Sequence, residues 1–300
     1  MRLLNRLASR RRVDRYWSGH LVRREPFKTA QESLDYLEWR FSEYPLFREF
    51  SGLWGDHDGE VVLDYGCGPG NDLAGFLVHT DATRVIGVDV SDTALELARQ
   101  RLALHEIPES RFELIQVSDS KPEIPLDTES VDFFQCQGVL QHTSDPGSIL
   151  KELHRVLKPG GEARVMVYNR DSIWLNLWTA YVVQVLQGQY ADLPAERALQ
   201  FTTDGPDCPI ARCWRGEDFV ALCREAGFDA RFLGGYPSRH ELEQLSEHWE
   251  DAIGDERLGR EHREFLREIE LDEDGYPTWR GKHAGVGGSY VLSKAQRGAS

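Results

Sequence analysis

The run Val61-Val62-Leu63-Asp64-Tyr65-Gly66-Cys67-Gly68-Pro69-Gly70-Asn71-Asp72 places the tightest limit on what this chain can fold into. Three β-forming residues lead into an acid. Glycines follow at alternate positions, and Leu73, Phe76 and Leu77 then repeat at helical spacing. Strand, glycine turn and helix in that order open a doubly wound nucleotide-binding sheet. The turn needs glycine where a ligand must approach the backbone more closely than a Cβ permits.

The rest of the chain continues the alternation. Strands are expected at Arg84–Val88, Phe112–Val117, Val131–Cys136, Ala163–Tyr168, Phe228–Gly234 and Ser289–Leu292. Helices are expected from Asn71 to about His79, from Ser91 through Leu102, and after Asp145-Pro146, where proline suits the first helical position. Another runs from about Arg215 to Gly227. Lys158-Pro159-Gly160-Gly161 reads as a sharp stop. Such alternation predicts an α/β fold: a doubly wound, mostly parallel seven-stranded sheet with right-handed crossovers. Residues 1–50 read as a helical, aromatic-rich lid, with Thr29-Ala30-Gln31-Glu32 resembling a capping box. Residues 51–300 form the sheet domain, with helical insertions at about 171–210 and 238–283; the second is rich in Glu and Arg at i,i+4 spacing.

Four features converge at the carboxyl ends of the first four strands, where open α/β sheets bind ligands. They are the turn Gly66–Gly70, Asp89 closing strand two, Ser118-Asp119 after strand three, and Gln137-Gly138-Val139-Leu140-Gln141-His142 after strand four. An acid about 20 residues beyond the turn suits two ribose hydroxyls. Val90 can cover an adenine face, and Ser118-Asp119 can take its exocyclic amine and a ring nitrogen. The turn is a poor cradle for a pyrophosphate: the third glycine comes one residue early, Asn71 stands in its place, and Pro69 has no N–H. These residues, with Leu150-Lys151-Glu152-Leu153-His154-Arg155-Val156-Leu157-Lys158-Pro159-Gly160-Gly161, resemble the class I S-adenosylmethionine-dependent methyltransferases over roughly residues 60–170. The resemblance implies S-adenosylmethionine as cofactor, with Asp64, Gly66, Cys67, Gly68 and Gly70 near its amino-acid part. Asp89, Val90, Ser118, Asp119 and Gln137 then fall around the adenosine.

Methyl transfer to a hydroxyl also requires removal of its proton. His142, with a near-neutral pKa at the lip of strand four, is the expected base, against a structural role at the start of the next helix. The acceptor is expected to be a small polar molecule, a sugar or natural-product-like metabolite methylated at oxygen, with N- or C-methylation as alternatives. Tyr16, Tyr36 and Arg40 of the N-terminal layer are candidate ligand contacts, as are Tyr168, Asn169, Ser172, Trp174, Asp204, Asp207, His240 and His283. The spacing of these acids and histidines matches no metal motif, so no metal is expected. Trp174, Trp178 and Tyr181 form an aromatic stripe that reads as packing or as a homodimer contact.

Composition narrows the partners. A net charge of −15 argues against broad nucleic-acid binding. The longest apolar run, Ile173–Leu186, falls short of the roughly 18 residues that span a bilayer, so no membrane partner is expected. Met1–Arg12 carries five arginines and no acid, which suits a transit peptide, but it has no signal-peptide apolar core and reads rather as a basic amphipathic helix with Leu3, Leu4 and Leu7 on one side. Five cysteines without a paired motif suggest free thiols in a reducing cytoplasm. Neither a Tyr-x-x-x-Lys pair nor a dinucleotide turn supports a nicotinamide-dependent oxidoreductase, and the intact glycines and Asp89 argue against a non-catalytic scaffold. A thermal-shift titration separates these: at a hundredfold excess over Kd, S-adenosylmethionine should add about 2.7 kcal/mol of stability and NAD none.

Overall fold

The computed structural model describes residues 12–53 and 55–296. The expected amphipathic helix at Met1–Arg12 therefore lies almost wholly outside the described residues. The described chain opens in helix α1 (12–19), followed by α2 (Ala30–Glu43) and the short α3 (Phe47–Ser51). The sheet domain begins with β1 (Val61–Tyr65), α4 (Asn71–His79), β2 (Arg84–Asp89), α5 (Asp92–Leu104), β3 (Phe112–Gln116) and β4 (Val131–Gln137). It continues through α6 (Pro146–Val156) and β5 (Leu157–Asn169), resumes with β6 (Cys213–Trp214), α8 (Gly216–Glu225) and β7 (Asp229–Tyr236), and closes with β11 (Gly287–Ser293). The strand order is β3-β2-β1-β4-β5-β11-β7, with two-residue β6 beside β5. β1 to β5 pair parallel, while β11 runs antiparallel to both β5 and β7.

Period-2 burial builds a core on each face of this sheet. Leu63, Ile86 and Phe134 pack toward α6 and α8, whereas Val62, Val85 and Phe133 pack toward α4 and α5. The caps are those expected. Ser91 accepts from the Ala94 N–H, and Asp145 accepts from the Ser148 N–H ahead of Pro146. At α2, Thr29 caps the Glu32 N–H, but the Glu32 carboxylate reaches back to the Lys28 N–H, so the reciprocal half of the box forms one residue early. Lys158–Gly161 ends α6 and is absorbed into β5, with Gly160 at φ 81°.

The N-terminal layer is tied to the sheet domain by charge. Fully buried Arg101 of α5 donates to the Ser33 Oγ (2.6 Å) and backbone oxygen (2.8 Å) of α2 and also bonds Asn71. Burial brings its guanidinium down to about 9. Arg40 pairs with Asp72 of α4 at 2.5 Å.

Both insertions depart in part from expectation. Residues 171–210 hold a π-helix (Trp174–Leu186) and α7 (Ala195–Asp204), so the start of Thr202–Pro209, a stretch whose Asp, Gly, Pro and Cys content reads as a loop, is helical. Residues 238–283 contain α9 (Arg239–Gly254) and α10 (Arg260–Arg267), but then a three-stranded antiparallel sheet: β8 (Ile269–Leu271), β9 (Pro277–Trp279) and β10 (Lys282–His283). Glu241 binds the insertions together. It completes a capping box with Ser238 and accepts the Trp174 N–H at 3.0 Å. Trp174, Trp178 and Tyr181 pack into the core shared by these helices, which favours packing over the subunit-contact reading. All five cysteines are free.

Gly70 sits at φ 79°, and a Cβ there would come 3.0 Å from Ala98. Gly70→Ala should therefore lose about 1–3 kcal/mol from backbone strain alone, measured as a lower urea midpoint.

Candidate active site

The carboxyl ends of β1 to β4 frame a cleft of about 150 Å³. Gly66, Gly68, Pro69, Asp89, Val90, Asp119, Gln137, Gly138, Val139 and His142 line it from the sheet. Val13, Trp17, His20, Leu21 and Val22 line it from α1 and the segment after it. Gly66 is required by contact as well as conformation: at φ 81°, an added Cβ would lie 2.1 Å from Val139. Gly68 faces open space, with nothing within 4 Å of an added Cβ, so its backbone is bare to the cleft. Asp89 holds the turn in place, accepting the Gly68 N–H and the Ser91 N–H at 2.9 Å each. Burial pushes its carboxyl up and these backbone donors pull it back.

Other expected cofactor residues act from behind this wall. Asp64 is buried beneath the turn beside Gln135, its carboxyl pushed well up by burial and then by Asp72. The Cys67 side chain belongs to the core on the α4 face, and its N–H is spent on Val88 O. Gly70 serves the packing of α4 on α5. Ser118 donates its hydroxyl to Asp14 at 2.7 Å and is absent from the cleft wall. The alternation of the strand and the tightness of the turn turn these side chains away from the ligand face.

Beyond the cleft, a buried polar cluster forms where β4, β5 and the first insertion meet. The Tyr168 hydroxyl donates to Asp204 Oδ1 at 2.8 Å, and the Tyr16 hydroxyl donates to the Asp204 backbone oxygen. His142 Nδ1 lies 3.0 Å from Ile210 O, and its Nε2 lies 3.5 Å from Asp204 Oδ1. Because a carbonyl only accepts, Nδ1 carries the proton and the Nε2 of the neutral ring carries a lone pair. Burial lowers His142 to about 4 and raises Asp204 to about 7. The Asp204 Oδ2 atom is buried and finds no partner among the described residues. The sequence offers His142, Tyr16, Tyr168 and Asp204 as candidates and gives Cys208 no role in the site. The approach of Asp204 and Cys208 to His142 is purely tertiary.

The remaining sequence candidates are elsewhere. Tyr36 packs between Phe27 and Trp39. Asn169 donates to the Asp171 and Gly285 carbonyls, and His283 is bonded to Asp272 at 2.8 Å; both border a separate cleft of about 480 Å³. Trp174 bonds Thr203 and, with Trp178, encloses His240. None of these five lines the cleft at the ends of β1 to β4.

Helix α1 covers both halves of the site. Asp14 accepts the Ser118 hydroxyl and the Asp119 N–H (2.9 Å), on the polar edge where adenine was expected. Trp17 packs on His142, with ring centroids 4.6 Å apart. Ligand pockets run to about 300–1,000 Å³, and with α1 in place this cleft holds about 150 Å³.

A bare glycine backbone, a buried acid poised at the turn and a Gln137 Oε1 that finds no partner among the described residues fit an adenosine-type ligand. The fold and site thus define a nucleoside-cofactor enzyme of the class I methyltransferase type, and the comparisons agree. A methyltransferase domain model matches residues 56–198. A ubiquinone biosynthesis O-methyltransferase of Thiobacillus denitrificans is 30% identical over 178 residues, covering 59% of this chain and 68% of that protein. A 37.1 kDa protein of transposon TN4556 from Streptomyces fradiae is 33% identical over 171 residues, which span 57% of this chain and only 44% of that protein. An S-adenosylmethionine-dependent methyltransferase structure from Mesorhizobium loti shares the fold, with a TM-score of 0.52 at 15% identity over 82% of this chain and 96% of that one. The chain belongs to the class I S-adenosylmethionine-dependent methyltransferases, and S-adenosylmethionine is its cofactor.

Asp14→Ala should tighten S-adenosylhomocysteine binding by up to about tenfold in calorimetry, since each hydrogen bond to a charged group is worth about 1.5–3 kcal/mol and part returns through water. Unchanged or weaker binding would show that Asp14 does not compete with adenine.

Proposed function

We propose that this enzyme O-methylates a small polar metabolite whose hydroxyl enters between the cofactor cleft and the His142–Asp204–Tyr168 cluster. The observation that carries this reading is the convergence of three proton-handling side chains, from three separate elements, next to the cleft. In this reading Gly66, Gly68, Asp89, Val90, Asp119 and Gln137 hold the cofactor, with Asp89 on the ribose and Asp119 on the adenine edge. The bound cofactor supplies an activated methyl group. The chain's own task is to place the acceptor oxygen in line and exclude water, so proximity supplies much of the rate. Trp17, whose buried Nε1–H finds no partner among the described residues, offers the acceptor a donor, and its ring closes the site. The hydroxyl proton is received in the cluster, where His142 presents a neutral Nε2 and Asp204 a carboxylate that ionises near pH 7.

Several similar proteins carry the name ubiquinone biosynthesis O-methyltransferase, including one from Neisseria meningitidis that is 28% identical over 62% of this chain. That name supports oxygen as the methylated atom and leaves the acceptor's skeleton open.

Incubation with methyl-labelled S-adenosylmethionine and a metabolite extract, followed by mass and NMR identification of the product, tests the proposal. A label on nitrogen or carbon would sink it. His142→Ala and Asp204→Asn should each lower kcat by about 10²–10⁴ while leaving S-adenosylhomocysteine affinity nearly unchanged. With Asp204 raised to about 7, its carboxylate appears as pH rises through that value, so kcat should climb to a plateau above pH 7. In Asp204→Asn that limb should disappear.

A further inference from the structure

We propose that His142, Asp204 and Cys208 form a binding site for one divalent metal ion of the zinc type. The inference rests on the reading of this cluster as the acceptor side of the active site and adds what the cluster holds there.

The three donor atoms lie within 4.8 Å of one another; His142 comes from one part of the chain, and Asp204 and Cys208 come from a single stretch of the first insertion. His142 follows β4, Asp204 ends α7, and Cys208 lies in the loop beyond it. The separation of His142 from the other two is why no metal motif is visible in the sequence.

The hydrogen bonds around the trio leave His142 Nε2 and Asp204 Oδ2 free, while the Cys208 thiol donates to Ile210 O at 3.3 Å, a proton that metal binding would displace. With the His142 Nδ1–H given to Ile210 O, its Nε2 is an acceptor that faces another acceptor, Asp204 Oδ1, across 3.5 Å. Two lone pairs at that distance repel unless a proton or a metal ion lies between them. Asp204 Oδ2 is likewise buried without a partner, and the Asp204 side chain is only 7% exposed. A metal-bound histidine commonly gives its other N–H to a backbone carbonyl, and a metal-bound carboxylate is itself hydrogen-bonded. Ile210 and Tyr168 occupy those two places.

Charge balance points the same way. Ionised Asp204 and Cys208 would bring two negative charges into a buried region, and a divalent ion would leave it neutral. One nitrogen, one oxygen and one sulfur donor suit a borderline-soft ion, and three protein ligands leave the fourth tetrahedral position open. An acceptor oxygen in that position would be polarised by a Lewis acid, easing loss of its proton. His142 would then lend its lone pair to the ion instead of to a proton.

The test is to strip the full-length protein with a chelator and titrate it with Co2+ as a spectroscopic stand-in for zinc. The expected result is one ion per chain with a thiolate-to-cobalt charge-transfer band. Cys208→Ser should abolish the band, Asp204→Asn should weaken binding, and Tyr168→Phe should cost about 10–100-fold in affinity as an outer-shell change. Circular dichroism and S-adenosylhomocysteine binding check that each variant is folded. No retained ion, or an identical spectrum and stoichiometry in Cys208→Ser and Asp204→Asn, would overturn the site. Failure here leaves the O-methylation reading separately decidable: a chelator-treated enzyme that still O-methylates an extract component and loses that activity in His142→Ala uses the cluster without a metal.

Discussion

The cleft depends on one carboxylate. Asp89 ends β2 and accepts the Gly68 N–H of the turn after β1 together with the Ser91 N–H ahead of α5. It thereby locks together the two loops between which an adenosine would lie. The turn can come close enough only because Gly66 leaves room for Val139, and Gly68 exposes backbone where a side chain would fill the cleft. The sheet supplies the framework: parallel β1, β2 and β4 end on the same edge, so their loops converge there.

A second constraint is the layer above. Arg101 and Arg40 fix α2 to α5 and α4 through buried polar bonds, whereas α1 is held to the site by Asp14, Tyr16 and Trp17. Each of these three residues touches a group the reaction is proposed to use. The same helix thus closes the adenine edge and the acceptor cluster at once, which couples the opening of one to the opening of the other.

Much of the sheet and half of the site were legible in the sequence because their signals are local. The strand, turn and helix at 61–79, the caps at Ser91 and Asp145, and the acid at Asp89 each follow from a few neighbouring residues. Gly66, Gly68, Asp89, Val90, Asp119, Gln137 and His142 all line the cleft as a group. What local spacing leaves unread is tertiary. Asp64 and Cys67 sit in the right motif but on the buried side of a strand and turn, which spacing cannot reveal. Asn169, Trp174, His240 and His283 look chemical in a list of residues and are engaged by their own neighbours in space. The short strands at 269–283 were hidden because Glu and Arg spacing upstream supports helix, and β8, β9 and β10 have only two or three residues each. Asp14, Asp204 and Cys208 carry no local signal.

On the proposed reading, adenine takes the Asp119 edge now held by Asp14, and the ribose takes Asp89. A crystal structure with S-adenosylhomocysteine tests it most directly. The expected result has both ribose hydroxyls on the Asp89 carboxylate and α1 displaced so that the Asp119 N–H meets the adenine ring. Cofactor bound with Asp14 still on Ser118 and Asp119, or with the ribose away from Asp89, would contradict it.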